Sequence, residues 1–411
     1  MELKKTARID LLKERMLSQP RYVSMEQAMI ITRAYQRHEE EPVILKRAYA
    51  LHDALCELEI GIEPQELIVG NRTKGVRYGV VFPESGISWV DQELETLPTR
   101  PQDKFLVRPE DVQTFREVIK PYWKGKSLED VLKKRYGKEI SALSTVVKIN
   151  QKDHAQGHIC PNVREWLEKG PAGLKEEAQQ HLLDCKEEQR PFYESILLVM
   201  DGVCRFLMRY HDELQKEAKQ HPDWKQDMIE TAEICKALAE RPAETFHEAV
   251  QSMWILFVVL HMESNASSFS PGRLDEILYP YYRKDRELGR LDAQRALDII
   301  ECLWLKFNQI VYLRNKNSAK YFAGFPIGFN IAVGGQDVHG EDVCNELSFL
   351  FLLAQEHIGL PQPNLSVRLH RGTGDALLKK AVRVVAKGSG MPQFFNDEAI
   401  IHSMIDDLGI E

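Results

Sequence analysis

The chain is short of several things, and each absence narrows what it can be. Among its 411 residues the longest apolar run, Trp254 to Leu260, falls far below the ~20 residues that span a bilayer. The opening MELKKTARIDLLKERM has neither the apolar stretch nor the small-residue cleavage site of a signal peptide. No basic excess is present: 54 Lys and Arg stand against 62 Asp and Glu, a net charge of −8, with the two signs interspersed. Membranes and nucleic acid are therefore not expected partners. The seven cysteines form no C-x-x-C pair and keep no regular spacing, the pattern of reduced, mostly buried thiols in a cytoplasmic protein, and no metal site is expected of them. G-x-S-x-G, G-x-x-x-x-G-K-[ST] and H-E-x-x-H are all missing. Gly334-Gly335 lacks the third glycine of a dinucleotide fingerprint and reads as a tight strand exit.

What is present is an ordinary globular composition, 43% apolar and 28% charged, long enough to bury a large core. Residues 1–244 read mainly as helix. Ser24-Met25-Glu26-Gln27 has the form of a capping box opening a helix to about His38, and Glu41-Pro42 starts another that reaches Leu58. Glu66 to Gly70 looks strand-like, and Gly75 to Pro101 looks like an ordered loop region. From Thr245 the pattern changes. A helix rich in Trp, Leu, Val and Phe ends near His261, and Asp292 to Val311 is a second apolar helix. Strands at Phe329–Val333, Asn364–Leu369 and Pro392–Phe395 then alternate with helices at Glu341–Gln355 and Asp375–Ala386. Such alternation predicts a parallel sheet with helices outside it, so residues 245–411 form the α/β part.

Two polar stretches stand out against this background. Asn150 to His158 (NQKDHAQGH) is unusually polar, and His158 after Gly157 suits an acid/base group or a donor to a substrate oxygen, or a loop histidine bonded to backbone. Glu263 to Ser270 sets small hydroxyl and amide side chains at the end of a fully apolar helix. Burying such groups is costly unless they are paired, so they are either caps and turn residues or groups left for a ligand. Arg273 and Asp275 are expected to pair with each other; Arg368 suits a carboxylate or phosphate ligand or, the favoured reading, a structural ion pair. Polar residues closing short strands lie at the kind of mouth where α/β folds bind ligands.

The blocks GNRT, TRPQDKF, NQKDHAQGH, HMESNASS, SPGRLDE, AGFP, VGGQD, PQPNLSVR and GMPQFFNDE, in this order from about Met25 to Glu411, resemble the glycyl radical enzymes. The likeness is to the branch with glycerol and diol dehydratases and pyruvate formate-lyase-like proteins. It implies an α/β fold: an N-terminal helical region plus half of a ten-stranded α/β barrel. It further implies a glycyl radical installed by a radical SAM activating enzyme, a small-molecule substrate and a homodimer when complete. The Gly-Cys-x-Glu loop and the radical-glycine loop of that family do not occur in this sequence, so no catalytic residue is assigned within it. By motif, Asn150 and His158 match residues that face substrate hydroxyls in the dehydratases. Ser267-Ser268 stands where those enzymes carry His-Ser, so Ser268 is kept and Ser267 replaces an imidazole, which implies a substrate other than glycerol. The resulting expectation is the N-terminal part of a lyase performing dehydratase-like C–O cleavage, truncated before its cysteine loop and inactive alone. A formate acetyltransferase fragment is the alternative within the class. A non-catalytic half-length protein that binds a small molecule or complements a second chain is the alternative outside it.

Overall fold

A computed structural model describes residues 3–147, 157–322 and 327–409. In its N-terminal part, long amphipathic helices at Val43–Glu57, Val163–Asp184, Arg190–Glu217 and Lys225–Glu240 pack side by side. Each turns an apolar stripe inward, as Phe206, Leu207, Tyr210 and Leu214 do on the longest. The helix Val163–Asp184 is two pieces joined at Gly170, whose φ of 63° breaks the helical path just before Pro171. One apolar core runs from Ile9 through these helices to Val384, and a smaller one gathers around Phe105, Phe115 and Trp123.

The helix Phe246–Glu263 is the axis of the large core. Thr245 and Glu248 cap it reciprocally, side chain to backbone N–H in both directions at 3.2 Å. Behind that cap nearly every residue is buried, Trp254 and Phe257 completely. Beside it lies Ala293–Phe307, capped by Asp292, as its apolar face requires.

The described residues include five short strands: β1 (Val23–Ser24), β2 (Gly79–Val80), β3 (Asn330–Gly334), β4 (Asn364–Leu369) and β5 (Gln393–Asn396). The first two form a parallel pair; the last three form a parallel sheet in the order β3-β4-β5, with Asn330 opposite Asn364 and Arg368 opposite Phe395. Helices Glu346–Ile358 and Asp375–Val385 make the crossovers, so the α/β expectation holds. Gly272 extends the sheet by one parallel bridge to Ile331.

Two local expectations fail. Ser24 does not cap a helix: it pairs with Val80 in β1, and the helix Glu26–Arg37 starts after Met25 with no side-chain cap. Residues 66–70 form no strand. The Gln251 side chain instead binds both the N–H and the C=O of Val69, each at 2.8 Å, doing for one buried extended residue what a neighbouring strand would do.

Arg368 is the structural ion pair expected. Its guanidinium grips Asp397 through Nε (2.8 Å) and Nη2 (2.9 Å), fastening β4 to the start of the helix Asp397–Leu408. Arg273 differs from expectation. It pairs with Glu276 at 3.1 Å and donates to the Gly334 carbonyl, while Asp275 accepts the Ser348 hydroxyl and the Gly334 N–H. Two residues apart within one turn at the start of a short helix, these side chains do not face each other.

Candidate functional site

Three segments meet at the amino end of β3. The Phe246–Glu263 helix stops at Ser264, and the chain crosses Asn265 to Gly272 as a loop before joining the sheet. The loop is stitched on both sides by backbone. His158 N–H donates to Ser267 O (3.1 Å), Ser270 N–H donates to Ile159 O (2.9 Å), and Ser268 N–H donates to Ile327 O (2.8 Å). The approach is so close that a Cβ on Gly157 would lie 1.5 Å from Ser267 O, which only glycine avoids. His158 and Ser268 both adopt left-handed backbone, φ 65° and 62°, a conformation that costs a non-glycine residue about 1–2 kcal/mol. Gly328, at φ 90°, leaves room for the Ser268 hydroxyl, 3.0 Å from where its own Cβ would be.

The structure thus brings His158, Ser267 and Ser268 together although the chain separates them widely. His158 is exposed and the two serines are half-buried. Asn150 lies outside the described residues. The location differs from the usual mouth of an α/β sheet: the cluster sits where β3 and β4 begin, and the Arg368–Asp397 pair occupies their far end.

A ladder of amides holds this end rigid. Asn330 Nδ2 donates to Ser270 Oγ (3.2 Å), Asn364 Nδ2 donates to Asn330 Oδ1 (3.0 Å), and Gln362 Nε2 donates to Asn364 Oδ1 (3.3 Å). Gln362 Oε1 in turn accepts the Phe329 N–H at 2.6 Å. Every member donates one bond and accepts another where it can, the condition under which a buried polar network specifies one geometry.

Behind the loop lies a group that sequence reasoning left without a role. Arg72, in the GNRT block, is 2% exposed, and among the described residues its guanidinium hydrogen-bonds only carbonyls, His261 O at 3.3 Å through Nη1 and Val311 O through Nη2. Burial pushes its pKa down to about 10. His261 is fully buried against Phe269 and Phe329. Burial first, and then the Arg72 charge, push His261 to about 3, so the ring is neutral at pH 7. Its Nδ1 faces Phe257 O at 2.7 Å, which places the proton there and leaves Nε2 an acceptor. Arg72 Nε, His261 Nε2 and Asn265 Oδ1 are buried without a hydrogen-bond partner among the described residues. A donor and two acceptors left open beside a strained loop are what a ligand-facing wall requires. No periodicity could have flagged Arg72, because a buried cation on an irregular segment has no pattern.

Of the loop's remaining polar groups, Glu263 pairs with Arg47, Ser270 holds Asn330, and Tyr312 Oη donates to Asn265 O at 2.6 Å. Both readings of the Glu263–Ser270 stretch therefore apply, to different residues. Among the described residues no His, Cys, Asp or Glu group is arranged to hold a metal ion, and no helix is long and apolar enough to cross a membrane.

Residues 3–408 match the family model of pyruvate formate lyase-like proteins. The chain belongs to that family, the glycyl radical enzymes. It is 34% identical over 409 residues to the protein named "Probable dehydratase YbiW" of Escherichia coli, covering 95% of this chain and 50% of that one. It is 30% identical over 401 residues to an isethionate sulfite-lyase of Oleidesulfovibrio alaskensis, covering 92% and 48%. The glycerol-bound B12-independent glycerol dehydratase of Clostridium butyricum superimposes with a TM-score of 0.94 at 31% identity, over 98% of this chain and 52% of that one. The family member described here spans about half the length of the curated relatives it matches.

Proposed function

We propose that this chain supplies the substrate-holding part of a glycyl radical lyase that removes water from a small oxygenated molecule. The observation that carries the reading is the convergence of His158 and Ser268, each held at positive φ, on one stitched loop. Maintaining two such conformations costs stability, which makes sense where side chains must be aimed at a ligand.

The residues present suit the holding of substrate, not the generation of a radical. Cys160, whose sulfur lies 3.1 Å from where a Cβ on Gly272 would be, stands outside the Gly-Cys-x-Glu pattern, and burial raises its thiol pKa. The family's hydrogen-abstracting cysteine and radical glycine motifs do not occur within these 411 residues, and the radical itself is installed by a radical SAM enzyme. When present, that radical supplies the means to take hydrogen from an unactivated C–H bond. This chain's own contribution is orientation. Ser268 Oγ and the His158 imidazole bind substrate hydroxyls, fix the reacting carbon, and stabilise the departing oxygen by hydrogen bonding. Asn150 joins them by its motif position. Ser267, a short neutral donor in place of an imidazole, directs the site to a polyol or related compound other than glycerol. A hydroxyl-and-imidazole pair suits such a substrate better than the keto acid of a formate acetyltransferase.

In the complete enzyme, His158→Ala lowers kcat/KM by about 10²- to 10⁴-fold, the usual worth of a positioned acid/base group, with an unchanged circular dichroism spectrum and melting temperature. Full activity in a folded His158→Ala enzyme removes the assignment.

A further inference from the structure

Among the described residues only four non-glycine positions have φ in the left-handed region: His158, Ser268, Arg77 and Asp103. The first two belong to the substrate loop. The other two meet at a different place, a cavity of about 230 Å³ open to solvent. Arg21, Arg77 and Arg314 line it, and Asp103 is the single carboxylate among its lining residues. We infer that this cavity binds the phosphate group of a small phosphorylated molecule.

The charge balance comes first. Asp103 already serves two arginines, Arg21 at 2.8 Å and the neighbouring Arg100 at 3.4 Å. Among the described lining residues three guanidinium groups therefore stand with one shared carboxylate. Arg21 Nε is buried without a hydrogen-bond partner among the described residues. Burial, and then repulsion from Arg21, hold the Arg77 guanidinium below its ordinary pKa; Arg314 is lowered by burial, with Arg21 again contributing. A dianion placed among them would satisfy donors and relieve that repulsion together.

The backbone points the same way. Position 77 is one where glycine would sit without strain, yet it carries a long cation. Among the described residues its guanidinium meets only the Met16 and Leu17 carbonyls at the end of a helix as acceptors, at 3.4 and 3.5 Å, too long to account for its retention by capping alone. The opposite wall is apolar, formed by Met16, Leu17, Val311, Leu360 and Pro361, which suits a phosphate that carries a short carbon body. The floor also touches the substrate loop: Tyr312 lines the cavity and bonds Asn265 O, and Val311 O receives Arg72.

The test is titration calorimetry on the 411-residue chain at fixed ionic strength, with inorganic phosphate, glycerol 3-phosphate and glycerol as probes. Arg77→Gly removes one cationic arm and relaxes the backbone, so the variant keeps or gains thermal stability. Wild type binds a phosphate-bearing probe and not glycerol, and Arg77→Gly weakens that binding about tenfold or more, the worth of one charge-assisted contact. Preference for glycerol 3-phosphate over free phosphate assigns the site to an ester with an organic body; the reverse assigns it to the free ion. Failure of both probes to bind at millimolar concentration, or equal affinity in a folded Arg77→Gly protein, overturns the inference. To separate this cavity from the substrate loop, Ser268→Gly serves as control: loss of binding there, with Arg77→Gly unaffected, also overturns the inference.

Discussion

Replacing Asp275 with asparagine should remove a defined share of the pH dependence of stability. The carboxyl is completely buried where β3 leaves the sheet, with Oδ2 accepting the Ser348 hydroxyl at 2.6 Å and the Gly334 N–H at 2.8 Å. Oδ1 is buried without a partner among the described residues. Burial is the main influence and raises the pKa from 3.8 to about 6, with the two hydrogen bonds and Arg273 opposing it. The folded state therefore keeps a proton that the unfolded chain has given up. Stability from this group is fully present below 3.8 and is lost as pH rises through about 6. At pH 5 the folded carboxyl is about 90% protonated and the unfolded one below about 10%, a roughly tenfold linkage factor, or ~1.4 kcal/mol relative to pH 8. Asparagine keeps the shape and one acceptor oxygen but cannot titrate. Urea unfolding of both proteins at pH 5 and pH 8 measures the difference. The wild type gains about 1 kcal/mol more than Asp275→Asn on going to pH 5, with equal m-values. Equal gains in the two proteins would refute the buried, protonated carboxyl.

Lys306 and Glu66 form an ion pair at 2.7 Å, 3% and 4% exposed, with Gln309 bonded to both. Lys306→Met leaves the carboxylate uncompensated and costs about 3–5 kcal/mol in urea unfolding, whereas Lys306→Met with Glu66→Leu costs much less; equal losses in single and double variants count against the pairing. Strand β5 is the edge of its sheet and leaves Phe394 42% and Phe395 40% exposed. Light scattering on the chain alone is expected to show self-association that falls when both are changed to Glu, while a monodisperse wild-type monomer contradicts this.

Much of the α/β part was legible because its elements announce themselves twice, by period and by punctuation. Strand Asn364–Leu369 and helix Asp375–Val385 lie where alternation and 3.6-residue spacing put them. The failures have a common cause. The Ser24 to Gln27 pattern satisfied a local capping rule, but pairing with Val80 in the sheet took Ser24 first. Glu66 to Gly70 has the apolar content of a strand, but its partner is the side chain of Gln251, far along the chain and invisible to any window. The candidate site follows the same division. Composition marked 150–158 and 263–270 as polar stretches, yet their meeting through Ser267 O came only with the fold or by resemblance. Arg72 and His261 escaped both routes to a role, since nothing in the sequence distinguishes a buried cation from a solvated one.

The left-handed residues tie these observations together. A chain can place glycine wherever φ must be positive, and in this protein it does so at Gly328, Gly334 and Gly335. Where a side chain persists at such a position, its loss would relieve strain, so something about the side chain must offset about 1–2 kcal/mol. At Ser268 and His158 the proposed function supplies it, a substrate held by the two side chains, on a loop whose backbone is fixed from both sides and whose neighbours, Gly157 and Gly328, leave room. At Asp103 it is the ion pairing with Arg21 and Arg100. Among the described residues Arg77 has no carboxylate partner to account for it, and the cavity it lines is rich in positive charge. The same physical reasoning that singles out the substrate loop therefore singles out the arginine cavity; Tyr312, which lines the cavity, donates to Asn265 O in the loop, and Val311 O receives Arg72 behind it.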